Sequence, residues 1–193
     1  NDLVMATHGR GIIILDDISV LRQVTQDVVK KDVHFFQTKA YPKLEESNFG
    51  GTASELEFVG ENPNSDAQIV YYLKKRNTFG KMEMEIQDAN GKKVVKLPAS
   101  NQKGINIVTW GFNEKGPKGA QGKTIDFSGF TTPLAPAGKY KAVLTKGKET
   151  YTHEFEITND PKSVITPAAR EEQYKTAHIL FDKVQELAYM VYQ

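Results

Sequence analysis

A strict alternation of apolar and polar side chains between residues 82 and 87 constrains the fold of this chain more than any other feature. The apolar and polar sets interleave one residue at a time: Met82, Met84 and Ile86 against Glu83, Glu85 and Gln87. Successive side chains of a β-strand point to opposite faces of its sheet, so the pattern predicts a strand with one buried and one solvated face. It also specifies the register, because a slip of one residue would bury the carboxylates.

Other segments repeat this period of two and are separated by turn residues. Asn90-Gly91 predicts a tight hairpin, since this dipeptide tolerates the positive φ values that such turns need. Further strands are predicted at 55–58, 67–74, 94–97, 104–112, 139–144 and 151–157. Because turns rather than helices lie between most of them, the fold class predicted is mainly β, a sandwich of the immunoglobulin or fibronectin-III kind.

The first 42 residues are predicted to be a separate region. Two short apolar runs flank His8-Gly9-Arg10-Gly11 and predict a hairpin. Asp16 and Asp17 then offer an N-cap for a helix over 18–29. A strand near 33–36 follows that helix.

Segment 43–54 is rich in Gly, Ser and Asn and predicts a linker. The predicted domains are therefore 1–42, the linker at 43–54, the sandwich at 55–160 and a helical tail at 161–193.

The helical tail carries an apolar seam. Thr166 and Pro167 suit an N-cap and a first helical position. Apolar residues then recur at spacings of three and four: Tyr174, Ala177, Phe181, Val184, Ala188 and Val191. An amphipathic helix must bury such a stripe. The seam therefore packs on the sandwich, pairs with another helix, or forms a homodimer through 168–193.

Composition excludes several classes of function. The formal net charge of +1 gives no concentrated basic surface for nucleic acid, and no apolar run is long enough to span a membrane. The chain has no cysteine, which excludes disulfides, thiol nucleophiles and zinc bound through thiolates. The four histidines do not recur at metal-ligand spacing. We therefore predict no metal and no cofactor.

Candidate site residues are few. The aromatic side chains of Trp110, Tyr71 and Tyr72 are candidates for stacking on a sugar ring, although a lone Trp in a sandwich is more often a core residue. The pairs Glu83/Glu85 and Glu154/Glu156 each lie on one flat strand face. Glycosidase carboxylates instead flank a cleft. With no acid–base pair of defined geometry, the domain is predicted not to be an enzyme.

The opening sequence NDLVMATHGRGIIILDDIS resembles the last blade of bacterial β-propellers of the sortilin and sialidase type, the Asp-box or glycosyl-hydrolase-like propellers. In such proteins a His-Gly-Arg-Gly turn is followed by apolar residues and a pair of aspartates. The resemblance implies that 1–42 holds the end of a propeller whose earlier blades precede Asn1. It also implies a periplasmic or extracellular bacterial protein.

Three motifs further along resemble the immunoglobulin-like domain of flagellar hook capping proteins. They are Asn90-Gly91-Lys92, the run from Asn106 to Trp110, and Pro136-Ala137-Gly138-Lys139-Tyr140. This chain has Gly111-Phe112 after the Trp, where the pattern has Asp-Gly.

Together the two resemblances imply a non-catalytic accessory domain that supports a propeller or mediates protein contacts. Two alternatives stay open: a carbohydrate-binding module, and a non-catalytic part of a glycosyl-hydrolase-like enzyme. Fold analogy alone transfers no activity to this chain.

Overall fold

The computed structural model describes residues 2–9, 11–15, 17–45, 65–118 and 132–191. The described chain is mainly β, with several sheets and a C-terminal helix. In chain order the elements are β1 (Leu3–Thr7), β2 (Gly11–Leu15), α1 (Ser19–Arg22), α2 (Gln26–Lys30), β3 (Val33–Phe35), β4 (Tyr41–Lys43), β5 (Ala67–Leu73), β6 (Met82–Asp88), β7 (Lys93–Pro98), β8 (Gly104–Trp110), β9 (Gly138–Lys146), β10 (Glu149–Asn159) and α3 (Pro167–Val191).

A five-stranded sheet has the order β4-β10-β9-β6-β7. The alternating segments that the sequence singled out form its centre, and Met84 and Ile86 of β6 are buried as predicted. The Asn90-Gly91 turn joins β6 to β7, with Gly91 at φ +80°. The strand predicted at 55–58 lies outside the described residues.

A three-stranded sheet has the order β3-β5-β8. Its strands are antiparallel, and β5 lies between its two neighbours in the sheet. Along β8 the burial alternates strictly, with Asn106, Val108 and Trp110 buried on one face.

The buried side chains of these two sheets form one cluster. Trp110 of β8 meets Tyr140 of β9 and Phe155 of β10, with ring centroids 5.6 and 6.2 Å apart. Phe35 of β3 stacks on His153 of β10. Close-packed aromatic rings of this kind hold the two sheets in a fixed relation.

The helix predicted over 18–29 is instead two short helices. Chain direction changes between Arg22 and Gln26, because Thr25 is extended and its side-chain oxygen accepts a hydrogen bond from the Val28 amide at 3.3 Å. That contact caps the start of α2, whereas α1 already ends at Arg22. Asp17 accepts a hydrogen bond from the Ser19 amide at 3.1 Å, whereas Asp16 lies outside the described residues.

The boundary predicted at 43–54 does not match the strand pairing. β3 and β4 precede it, yet β3 pairs with β5 and β4 pairs in parallel with β10. Residues 33–43 therefore belong to the same two sheets as the strands after the linker. A three-residue strand carries too little periodicity to reveal this, and most of the linker lies outside the described residues.

Candidate functional site

The hairpin of β1 and β2 is the first candidate surface. Its strands pair antiparallel from Leu3–Leu15 to Thr7–Gly11, and the turn uses Gly9 and Gly11 at φ +80° and +83°. The Thr7 hydroxyl donates a hydrogen bond to the Gly11 carbonyl at 2.9 Å. Among the described strands, β1 and β2 pair only with each other. Arg10, in the predicted turn, lies outside the described residues.

Both faces of this hairpin are apolar and exposed. On one face Leu3, Met5, Ile13 and Leu15 are 40–47% exposed, and on the other Val4, Ile12 and Ile14 are 61–70% exposed. A two-stranded ribbon in water would carry polar residues on at least one face. Exposed apolar patches are typical of interaction surfaces, so the hairpin is a candidate site.

A groove of about 970 Å³ lies between α3 and the ends of the sheets. Its polar groups are tied to one another: Lys43 donates a hydrogen bond to the Ala135 carbonyl at 3.0 Å, and Arg170 pairs with Glu45. The Ser163 hydroxyl also donates to Glu45, at 2.7 Å, and with Arg170 it lowers the pKa of that carboxyl. Burial and the Arg170 charge lower the pKa of Lys43. These groups hold α3 against the sheets and form no acid–base pair aimed at a substrate.

A second polar cluster fixes the middle of α3. The Tyr174 hydroxyl donates a hydrogen bond to the Glu114 carboxylate at 2.6 Å, and His178 lies 3.5 Å from the other carboxylate oxygen. Burial and this carboxylate raise the pKa of Tyr174. Five of the six predicted seam residues are half-buried or buried, and Val191 is exposed: Tyr174, Ala177, Phe181, Val184 and Ala188 form the covered part of the stripe. Leu180, Leu187 and Met190 remain more than half exposed.

The structure does not bring the three predicted stacking residues onto one exposed face. Trp110 and Tyr71 are 2% and 0% exposed, and the Trp110 indole donates a hydrogen bond to the Asn113 carbonyl at 2.8 Å. Burial raises the pKa of Tyr71 to about 12, and its hydroxyl donates to the Ser100 carbonyl. Tyr72 points to the other face of β5 and is half-buried beside Val28 and Val70. Neither Trp110 nor Tyr71 offers a face to a sugar ring.

The strand carboxylates form surface ion pairs. Glu83 lies 2.9 Å from Lys81 and 3.2 Å from Lys96, while Glu85 lies 2.9 Å from Lys93. Hydrogen bonds from Lys81 and Lys96 lower the pKa of the Glu83 carboxyl. Hydrogen bonds from Gln87 and Lys93 lower the pKa of the Glu85 carboxyl. Each stays ionised, so neither is suited to act as a general acid.

Sequence reasoning did not single out Lys43, Glu45, Glu114 or Arg170. Glu45 and Arg170 are far apart in the chain, and no local motif links them. Only the fold brings such residues together, because α3 returns to the segments that follow β4 and β8. Among the described residues, no group of three or more potential ligands is placed to hold a metal ion, and no helix is long and apolar enough to cross a membrane.

Comparison with protein-family models, with curated proteins and with solved structures found no match.

Proposed function

We propose that this chain is a non-catalytic accessory domain that attaches to a β-sheet body of a larger exported bacterial protein through the β1–β2 hairpin. The two larger sheets are proposed to form a sandwich of the immunoglobulin or fibronectin-III type. Their shared aromatic core, joined by contacts such as Trp110–Tyr140, supports that assignment.

The observation that carries the proposal is the apolar character of both hairpin faces. Apolar residues that are exposed on two opposite faces need other protein surfaces packed against both faces. A strand pair that is covered on both faces is typical of the inner layers of a larger β structure. The hairpin also has two free edges among the described strands, which a further strand would extend.

A β-propeller is the partner that we propose. The resemblance of the first twenty residues to a final propeller blade supports it, because blades are four-stranded sheets packed face to face around an axis. A hairpin in that position would supply two strands of a blade and would have neighbouring blades on both faces. The same resemblance supports a periplasmic or extracellular location.

Binding to a separately expressed propeller segment tests this assignment. The segment encoded before Asn1 would be titrated with the 193-residue chain and with its Ile12→Lys and Ile14→Lys variants. We expect the wild-type chain to bind and each variant to lose at least tenfold in affinity, because a lysine would be buried without a partner. Val164→Lys is the matched control, since Val164 is 94% exposed and outside the hairpin.

Equal binding by the hairpin variants and the control would overturn the proposal. Absence of binding by the wild-type chain would overturn it as well.

A screen for turnover tests the non-catalytic part. The chain would be assayed against a panel of glycosides and peptides, and we expect no turnover above background. Turnover that a point mutation within the described sheets abolishes would contradict this part of the proposal.

A further inference from the structure

One end of the two larger sheets concentrates positive charge, and it carries an inference that is independent of the proposed docking of the hairpin. The loop 74–81 joins β5 to β6 at this end. The Lys74 amide donates a hydrogen bond to the Asp32 carbonyl, and the Gly147 amide donates to the Lys81 carbonyl, each at 3.0 Å. We call this surface the basic end, and its segments are 30–32, 74–81, 101–103 and 146–149.

The strand registers hold the segments of the basic end together. Leu73, the last residue of β5, lies opposite Val33 in β3 and opposite Gly104 in β8. In the other sheet, the first residue of β6 lies opposite the last residue of β9. The Asn77 amide also donates to the Asn101 carbonyl at 3.0 Å. The position of each segment is therefore fixed by the sheets.

Most cationic side chains of the basic end have no carboxylate partner. Among the described residues, six exposed cations of this end form no ion pair: Lys31, Lys74, Lys75, Arg76, Lys103 and Lys148. The formal net charge of +1 could not reveal this surface, because it sums the charges of the whole chain.

The carboxylates of the basic end are few and already engaged. Asp32 pairs with Lys146, and Glu149 accepts a hydrogen bond from the Tyr151 hydroxyl at 2.5 Å. Two further cations of this end pair with carboxylates of α2 and β6: Lys30 and Lys81. The six unpaired cations therefore leave the basic end with an excess of positive charge.

An apolar ring lies among these cations. Phe79 is in the loop 74–81 and is 89% exposed. Among the described residues of the basic end, it is the only aromatic side chain that is exposed. Surfaces that combine exposed apolar side chains with Lys and Arg are typical of proteins that lie on anionic membranes. Binders of single-stranded nucleic acid instead present several rings to successive bases.

We propose that the basic end docks on a bilayer that contains anionic phospholipid. Phe79 enters the boundary between the headgroups and the acyl chains, and Lys75 and Arg76 bind headgroup phosphates beside it. Clusters of about four to eight Lys and Arg residues are typical of such contacts. Because the attraction is largely electrostatic, it weakens as the salt concentration rises.

Flotation of the 193-residue chain with lipid vesicles tests the proposal. Vesicles of phosphatidylcholine alone are compared with mixed vesicles that also contain phosphatidylglycerol. We expect the chain to bind the mixed vesicles and to bind them more weakly at higher salt.

A charge variant tests the role of the cations. Lys75→Gln with Arg76→Gln removes two of them. Each is expected to contribute about fivefold in affinity, so this variant should bind mixed vesicles roughly 25-fold more weakly. Lys92→Gln with Lys139→Gln is the matched control, because it makes the same change in net charge at exposed residues at the other end of β6 and β9. We expect this control to bind nearly as the wild type does.

Two variants test the role of the ring. Phe79→Ser keeps every cation and is expected to bind mixed vesicles several-fold more weakly. Val164→Ser is its matched control, since Val164 is 94% exposed and outside the basic end. In Phe79→Trp the introduced indole should shift its emission to shorter wavelengths on mixed vesicles, whereas the native Trp110 is 2% exposed and gives a constant background. Circular dichroism checks that all variants are folded.

Four results would overturn the proposal. They are a wild-type chain that does not bind mixed vesicles, equal binding to phosphatidylcholine alone, equal loss of affinity in the charge variant and its control, and tighter binding to single-stranded DNA than to mixed vesicles. The second result would assign the contact to apolar surfaces such as the hairpin, and the fourth to nucleic acid. None of them depends on binding to a propeller segment, so this test is separate from that of the proposed function.

Discussion

The imidazole of His153 lies flat against the ring of Phe35, with ring centroids 5.3 Å apart and planes inclined by 11°. His153 belongs to β10 and Phe35 to β3, so the pair joins the two larger sheets. Burial lowers the pKa of His153, and the nearby His34 lowers it further, while Glu154 acts in the opposite direction. Burial and Lys31 also lower the pKa of His34.

This arrangement predicts a loss of stability in mild acid. Because both folded-state pKa values are lowered, the unfolded chain binds more protons once the pH falls below the ordinary histidine value of about 6.5. The contribution of these histidines to the free energy of unfolding is therefore fully present above that pH. It decreases as the pH falls toward the pKa values of the folded state. Urea denaturation at a series of pH values measures it.

His153→Phe keeps an aromatic ring against Phe35 and removes the titration. We expect its free energy of unfolding to decrease less than that of the wild type over the same pH range. The exposed His8 serves as control, with His8→Gln expected to follow the wild type. Identical pH profiles for His153→Phe and the wild type would contradict the assignment.

The placement of the aromatic residues predicts a second outcome. Trp110→Ala removes a core side chain that contacts both sheets, and we expect a loss of about 3–5 kcal/mol in the free energy of unfolding. Tyr72 lies on the half-buried outer face, so Tyr72→Ala should lower the free energy of unfolding clearly less. Denaturant titration measures both. A Trp110→Ala variant with wild-type stability would show that the ring is not a core residue.

The buried, fully hydrogen-bonded side chain of Asn106 leads to a third prediction. It is 3% exposed, and its amide nitrogen donates to the Gln102 and Gly104 carbonyls at 2.8 and 2.9 Å. Its oxygen accepts from the Ser100 hydroxyl at 2.6 Å and from the Gln102 amide at 3.0 Å. Asn106→Leu leaves these groups without their partner, so we expect a loss of about 1–3 kcal/mol or more, measured by denaturant titration. Gln102→Ala, which keeps the backbone groups, is the control with little expected change.

The contact of Tyr174 with Glu114 predicts a fourth outcome. Tyr174→Phe removes the hydrogen bond to the carboxylate. Because one partner is charged, we expect the free energy that holds α3 in place to decrease by about 1.5–3 kcal/mol. Hydrogen exchange of the α3 amides, followed by mass spectrometry, should become faster. Lys175→Ala, which loses only an exposed ion pair with Glu171, should leave that exchange nearly unchanged. Equal exchange in both variants would contradict the role of Tyr174.

Periodicity explains what the sequence could predict. Strands β6, β9 and β10 alternate between apolar and polar residues over most of their length. The tail helix begins at the predicted cap, where Thr166 accepts a hydrogen bond from the Ala169 amide at 3.2 Å. In these segments one face is buried, so the spacing of apolar residues in the sequence matches the residues that are buried in the fold. The pairing of β6 with β7 follows from the Asn90-Gly91 turn.

Features set by distant contacts could not be predicted in this way. The three-residue strands β3 and β4 are stabilised by pairing with β5 and β10, and their own sequences carry no period. The groove residues Glu45 and Arg170 pair only because α3 returns to the segment that follows β4. The break between α1 and α2 depends on Thr25. It could not be predicted because the apolar residues on either side of Thr25 are spaced as in one continuous helix.

The parallel pairing of β4 with β10 has a mechanical consequence. Tyr41 lies beside Ile157 and Lys43 beside Asn159, so the chain leaves this pair at opposite ends, toward the hairpin on one side and toward α3 on the other. Tension between those two directions would act along the strands and load their hydrogen bonds together rather than one after another. A domain joined to its neighbours at these points would resist stretching, and its rupture force in a single-molecule pulling experiment would depend on this short strand pair.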